Sequence, residues 1–293
     1  MRRLPQPVRT TLLLTPALLI VGVLFGGGLY LAVKESLGYE PVLGQTSLSL
    51  DAYRALLHDR EVQRSITLTL RLALTATVLS AILAVASALL IRRLRVGRRL
   101  MTFLFQLNLP VSHVVGALAA FLLLDQAGLL ARVLHAVGLV ADPGQAPELT
   151  RDGIGVGVLA EYVWKETPFI GVVVLAALAG GIAQLEDVAA TLGGGPWRRF
   201  RHVVLPLITP AVLSTSVIVF SFSFGSYEVP YLLGRSFPTT LPVVAYQSYT
   251  QTGITEHVRG AAINVTITVV VALVVLVYLV LAEKVLRPAR GRA

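Results

Sequence analysis

Cysteine is absent, and histidine is scarce at 5 in 293 residues. The first absence removes disulfides and thiolate metal sites. The second leaves few imidazoles, and His113 has no second metal ligand at a recognisable spacing. Charge is short as well: Asp, Glu, Lys and Arg make up 14% of the chain, against about a quarter in a soluble domain. No charged shell of ordinary extent can be drawn around a chain of this size. Acids are the scarcer sign, 16 against 25 basic residues, for a formal charge of +9. Such a surplus can mark a nucleic-acid binder. In a chain that is 55% hydrophobic, with mean hydropathy +0.75, it more often records Arg and Lys retained on the cytoplasmic side of a membrane. No Gly-x-x-x-x-Gly-Lys-Ser/Thr phosphate loop and no catalytic constellation are found, so neither ATP hydrolysis nor other enzymatic chemistry is expected of this chain.

What is present is long apolar runs. A hydrocarbon layer of about 30 Å takes roughly 20 helical residues. Spans are expected at about residues 11–33, 68–91, 100–124, 156–181, 203–228 and 260–282. The first follows Arg2, Arg3 and Arg9 but exceeds the roughly 7–15-residue core of a signal peptide, so it is read as a retained helix. The result is an all-α transmembrane chain with six helices in a single membrane domain. Arg2, Arg3 and Arg9, the run Arg92, Arg93, Arg95, Arg98 and Arg99, then Arg198, Arg199 and Arg201, and finally Lys284, Arg287, Arg290 and Arg292 fall on one side. Acids outnumber bases on the other. Both termini are therefore expected to be cytoplasmic. Outside, Leu50, Tyr53, Leu56 and Leu57 share a face, as do Leu129, Leu130, Val133, Leu134 and Val137, which fits short interfacial helices.

The most informative stretch is residues 185–202 with its continuation to Pro206. Leu185, Ala189 and Leu192 share a helical face, three glycines interrupt it, and Pro196 suits the first position of a second short helix. That helix carries Trp197 and Phe200 beside Arg198, Arg199 and Arg201. Exposed aromatics there serve equally well for a protein partner or for packing at the lipid interface.

The stretch resembles the Glu-Ala-Ala motif of bacterial binding-protein-dependent ABC-importer permeases. Asp187-Val188-Ala189 stands at the Glu-Ala-Ala position, Gly193 at the glycine after three residues, and Val203-x-Leu205-Pro206 after nine more. Asp replaces Glu, Val the first Ala, Gly194 the usual Ala and Val203 the usual Ile, while Glu186 keeps a longer acid next door. The similarity extends over residues 12–281.

It implies the type I ABC importer permease fold and a cytoplasmic coupling segment that docks on a separate ATPase subunit through Glu186, Asp187, Ala189, Gly193, Trp197, Arg198, Arg199, Phe200, Leu205 and Pro206. It also implies a pair of such ATPase subunits, which use ATP and Mg while this chain binds no cofactor. The remaining partners are a second permease, related or identical, and an extracytoplasmic solute-binding protein. Phe224-Gly225-Ser226-Tyr227-Glu228-Val229-Pro230 is similar to spermidine/putrescine-type permeases, which suggests a polyamine solute.

Polar groups inside the spans mark a pathway, because they are costly unless they face water or one another. Asn108, Ser112, Trp164 and Ser223 are the candidates. Each has a plainer alternative: serines bond their own i−4 carbonyl, and Asn108 can fill the backbone gap left by Pro110. Lys165 and Glu161 are expected to neutralise each other as an i,i+4 pair. A secondary transporter and a non-transporting structural or assembly protein are the rival readings. Matched inverted halves would favour the former, but none is seen, and neither rival explains the spacing from Asp187 to Pro206.

Overall fold

The computed structural model describes residues 6–39, 41 and 47–286; of residues 6–10, 254 and 281–286 it describes the backbone alone. Arg2, Arg3, Arg287, Arg290 and Arg292, and with them the chain termini, lie outside the described residues. The described residues are helical, without strands. In order, the helices are α1 (Gln6–Ser36), α2 (Asp51–His58), α3 (Arg60–Arg93), α4 (Arg98–Gln106), α5 (His113–Leu124), α6 (Leu129–Ala136), α7 (Val156–Ala179), α8 (Ile182–Thr191), α9 (Pro196–Arg199), α10 (Leu205–Gly225), α11 (Glu228–Leu233), α12 (Leu241–Thr250) and α13 (Ile254–Leu286). Six stretches are long and apolar enough to cross a membrane: Thr11–Ser36, Arg60–Arg93, His113–Ala136, Val156–Ala179, Pro196–Gly225 and Thr255–Val280. A helix suits that setting because its backbone hydrogen bonds are satisfied within the segment.

The chain divides into two compact units. One comprises residues 1–63 and 244–266. Its α1 presents its apolar side chains outward; in the spanning window none is buried. The expected outer interfacial helix is α2, whose Tyr53 hydroxyl donates to Ser36 Oγ at 2.7 Å. The unit is tied by Arg259, which reaches Asp59 at 2.8 Å, Glu61 at 3.0 Å and Glu256 at 3.2 Å. Asp59 also caps α3, accepting the Glu61 amide at 2.8 Å. At Gly260 a Cβ would stand 2.7 Å from the Tyr249 amide nitrogen, so α13 passes α12 almost backbone to backbone.

The second unit comprises residues 64–243 and 267–293. Its centre is α7, 44% of whose spanning window is buried. One apolar cluster joins Ala84 and Ala88 of α3 to Ile170 and Val174 of α7 and to Ile208 and Val219 of α10. A second joins Leu72 and Ala76 to Ala117, Val158, Tyr162, Val229 and Leu233. Small residues on α3 and α5 let the helices approach closely, and close packing is what associates helices in lipid. Asp152 starts α7 by accepting the amides of Ile154, Gly155 and Val156 at 2.8–2.9 Å.

One expectation needs correction. The window at residues 100–124 is not one helix: α4 ends at Gln106 and α5 begins at His113, because Pro110 cannot donate within a helix, and the third spanning stretch runs His113–Ala136. Gly180 and Gly181 end the fourth span at Ala179, the latter at φ +90°. Hydropathy gives no sign of α11 and α12, which follow the fifth span.

Candidate functional site

The segment at residues 185–202 is built around its glycines. Helix α8 ends with the Gly193 amide donating to Ala190 O at 3.0 Å and the Gly194 amide to Ala189 O at 2.9 Å. This paired closure, with Gly193 at φ +80°, is a Schellman end. The two glycines are needed for different reasons. Gly193 has open space around it and is required for its left-handed backbone; a Cβ on Gly194 would meet Ala189 O at 2.6 Å. Gly195 then leads into α9 with Pro196 in its first turn.

The second helix does not stop. It runs through a π-helical turn at Phe200–Val204, where the Leu205 amide reaches back to Phe200 O, and on into α10. Pro206 offers no N–H to His202 O, and its ring would press on that carbonyl; the wider turn accommodates both. Trp197 and the crossing helix are thus parts of one continuous rod. Trp197 is 68% exposed. Phe200, expected to be exposed beside it, instead packs on the α3–α7–α10 cluster because it opens the π turn on the inner side. Glu186 is held by an ion pair with Arg92 at the end of α3, while its neighbour Asp187 is exposed. Ala189 is half-buried, and Arg198, Leu205 and Pro206 are exposed.

The second site is the broken span. Around Pro110 the chain leaves regular helix; Asn108 O still accepts the Val111 amide at 3.1 Å, and α7 supplies a further donor to the carbonyls there. The Lys165 ammonium, 5% exposed, donates to Asn108 O at 2.8 Å and to Val111 O at 2.5 Å. The expected Lys165–Glu161 pair is therefore not made. Glu161 faces His113 Nδ1 at 3.2 Å, and Glu166 lies 3.6 Å from His113 Nε2. Gly116 permits this, since a Cβ there would stand 2.8 Å from Glu161 Oε1 and 3.3 Å from the Trp164 ring. The Asn108 side chain donates to Trp164 O at 2.5 Å. Asn108 and Trp164 line a cavity of about 550 Å³ together with Thr167, Phe105 and Pro168. Asn108 Oδ1 and Thr167 Oγ1 are buried there with no partner among the described residues. Ser112 and Ser223 are not brought to this cavity. Ser112 caps α5 through the Val115 amide at 3.4 Å, and Ser223 is buried, its carbonyl 3.5 Å from the Tyr162 hydroxyl.

Residues 76–287 match the family described as binding-protein-dependent transport system inner membrane component. The chain belongs to that family of ABC-importer permeases. Permease YdcU of Escherichia coli, an inner membrane ABC transporter protein, is 34% identical over 57% of this chain and 56% of its own length. The molybdenum transport permease ModB of Mycobacterium tuberculosis is 30% identical over 76% of this chain and 80% of its own. The putrescine permease PotI of E. coli is 26% identical over 72% and 69%. Among solved structures, a bacterial alginate ABC importer matches at TM-score 0.78 and 18% identity, covering 95% of this chain and 98% of the other. A second structure of an alginate transporter, in complex with an alginate-bound periplasmic protein, matches at 0.75 and 20% over 99% of each. The permease is thus a multi-pass inner membrane transport subunit, not an enzyme.

Two parts of the permease site have no signal in the sequence pattern: the Lys165 contacts to the break, and the Arg92–Glu186 tie. Each links residues more than fifty positions apart.

Proposed function

We propose that this permease forms half of a solute pathway, supplied by a solute-binding protein and driven by separate ATPase subunits that dock on residues 185–202. The supporting observation is the construction of that segment: a fixed glycine bend followed by a rod continuous with α10. An element that keeps its shape can carry a displacement from a docked subunit into the spans. Asp187, Trp197 and Arg198 form its exposed contact surface, while Glu186, Gly193, Gly194 and Phe200 hold its shape. Asn108 and Trp164 contribute to the pathway wall. Both termini and this segment face the cytoplasm, and a second permease completes the pore.

The polyamine reading rests on the similarity at Glu228-Val229-Pro230 and on one putrescine relative; other relatives carry molybdenum or trehalose. No carboxylate lines the Asn108–Trp164 cavity. Solute class is therefore a matter for binding measurements on the cognate solute-binding protein.

The test is to purify the complex carrying Gly193→Val or Trp197→Ala and to measure ATPase subunit per permease and stimulated hydrolysis. Loss of the subunit with normal membrane insertion is expected. Wild-type stoichiometry and stimulation in both variants would defeat the coupling assignment. Reporter fusions after Arg95 and Arg201 should read inside, and a fusion after Asp142 outside.

A further inference from the structure

Between the end of α3 and the α8–α9 bend lies a groove of about 850 Å³. Its polar wall carries Arg92, Arg93, Arg95 and Arg199 against only Glu186 and Asp187, so its field is positive even after Arg92 and Glu186 neutralise each other. Arg199 turns inward from the tip: its Nε is buried and has no partner among the described residues. Its apolar lining comes from Leu89 of α3 and Phe200 of the π turn, both half-buried, while Val204 beside them is buried in the core. These residues stand where two spanning stretches, Arg60–Arg93 and Pro196–Gly225, end and begin. The groove therefore lies where two long apolar stretches give way to arginines.

We infer that this groove binds an anionic phospholipid. Arg93, Arg95 and Arg199 hold the phosphate, and Leu89 and Phe200 cover the first part of the acyl chain. Guanidinium groups suit the task because their forked donors match phosphate oxygens in pairs. Basic pockets between spanning helices are recurrent headgroup sites. An acidic protein surface would satisfy the arginines but leave the half-buried Leu89 and Phe200 uncovered. The bound lipid would fill the space under the bend and brace it against α3.

The experiment uses the full-length permease purified with its bound subunits, delipidated, and titrated with dioleoylphosphatidylglycerol, dioleoylphosphatidylcholine or inorganic phosphate. Native mass spectrometry reads the bound lipid. Wild type is expected to retain one phosphatidylglycerol per chain in preference to phosphatidylcholine, with inorganic phosphate a poor competitor. Arg95→Gln/Arg199→Gln should weaken retention by about tenfold, Arg199→Lys should fall between, and Arg201→Gln, outside the groove, should match wild type. Equal retention by wild type and the double variant would overturn the proposal. So would displacement by inorganic phosphate as readily as by lipid, or unchanged lipid with loss of the ATPase subunit, which would give the groove to that subunit. If the double variant does not insert, Arg95→Gln decides alone: weakened phosphatidylglycerol retention is expected, and retention equal to wild type would overturn the proposal.

Discussion

The permease interrupts its helices in two places and heals the interruptions in opposite ways. At the α8–α9 bend the chain closes on itself: Gly193 and Gly194 return the α8 carbonyls to their own neighbours. At the α4–α5 break the carbonyls are met from another helix, by the ammonium of Lys165. Water explains the difference. A bend whose residues are largely exposed can leave its remaining polar groups to solvent, whereas a break packed against another helix must find a protein donor. The first interruption therefore needs only local sequence, and the second depends on a residue more than fifty positions away.

Breaking the second should have the larger effect. Lys165→Met takes the ammonium from the carbonyls of Asn108 and Val111, leaving Asn108 O only its Val111 amide. A loss of about 1–3 kcal/mol for each carbonyl deprived of the ammonium is expected, visible as loss of folded permease in a thermal-unfolding series in detergent, with partial recovery in Lys165→Arg. Gly116→Val should follow, since its side chain would drive α5 from Glu161 and Trp164; overpacking of this kind costs about 1–3 kcal/mol. At the first interruption the two glycines should separate. Gly194→Ala meets the Ala189 carbonyl and should open the bend, while Gly193→Ala has room and costs only about 1–2 kcal/mol of backbone strain. Trypsin cleavage at Arg198 and Arg199 in membranes would report the difference. Trp197→Ala should leave unfolding within about 0.5 kcal/mol of wild type and show its effect only in subunit retention. If Lys165→Met proved as mild as Gly193→Ala, the contrast between the two repairs would be lost.

The same contrast explains what could be read in the sequence. The first, second, fifth and sixth apolar stretches were legible because each is a long run free of charge, and the glycine bend because Gly193 and Pro196 advertise backbone needs by themselves; the third window runs across the break at Pro110, and the fourth carries Glu161, Lys165 and Glu166. Pro110 marked the break, but nothing nearby says which group repairs it. The i,i+4 spacing pointed Lys165 to Glu161; the structure gives each a better partner from the third span. Phe200 followed the same logic, since aromatic neighbours on a short helix read as one exposed pair until the π turn carries one of them inward. Of the four pathway candidates, Asn108 and Trp164 meet at one cavity, while Ser112 serves as a helix cap.

The π turn at Phe200–Val204 has a consequence for angular phase. It inserts one residue beyond α-helical register, and each residue advances a helix by about 100°. The wide turn absorbs that residue: five residues there cover the rotation that four cover in an α-helix, so Trp197 keeps nearly the bearing over α10 that a regular helix one residue shorter would give it. Winding the same residues as a regular α-helix would swing the Pro196–Arg199 tip through about 100°, leaving α8 and the glycine bend with a mismatched landing. Pro206→Ala, which restores an N–H toward His202 O, should therefore uncouple the two ends while each remains helical, whereas deleting one residue from the turn should keep the tip's bearing.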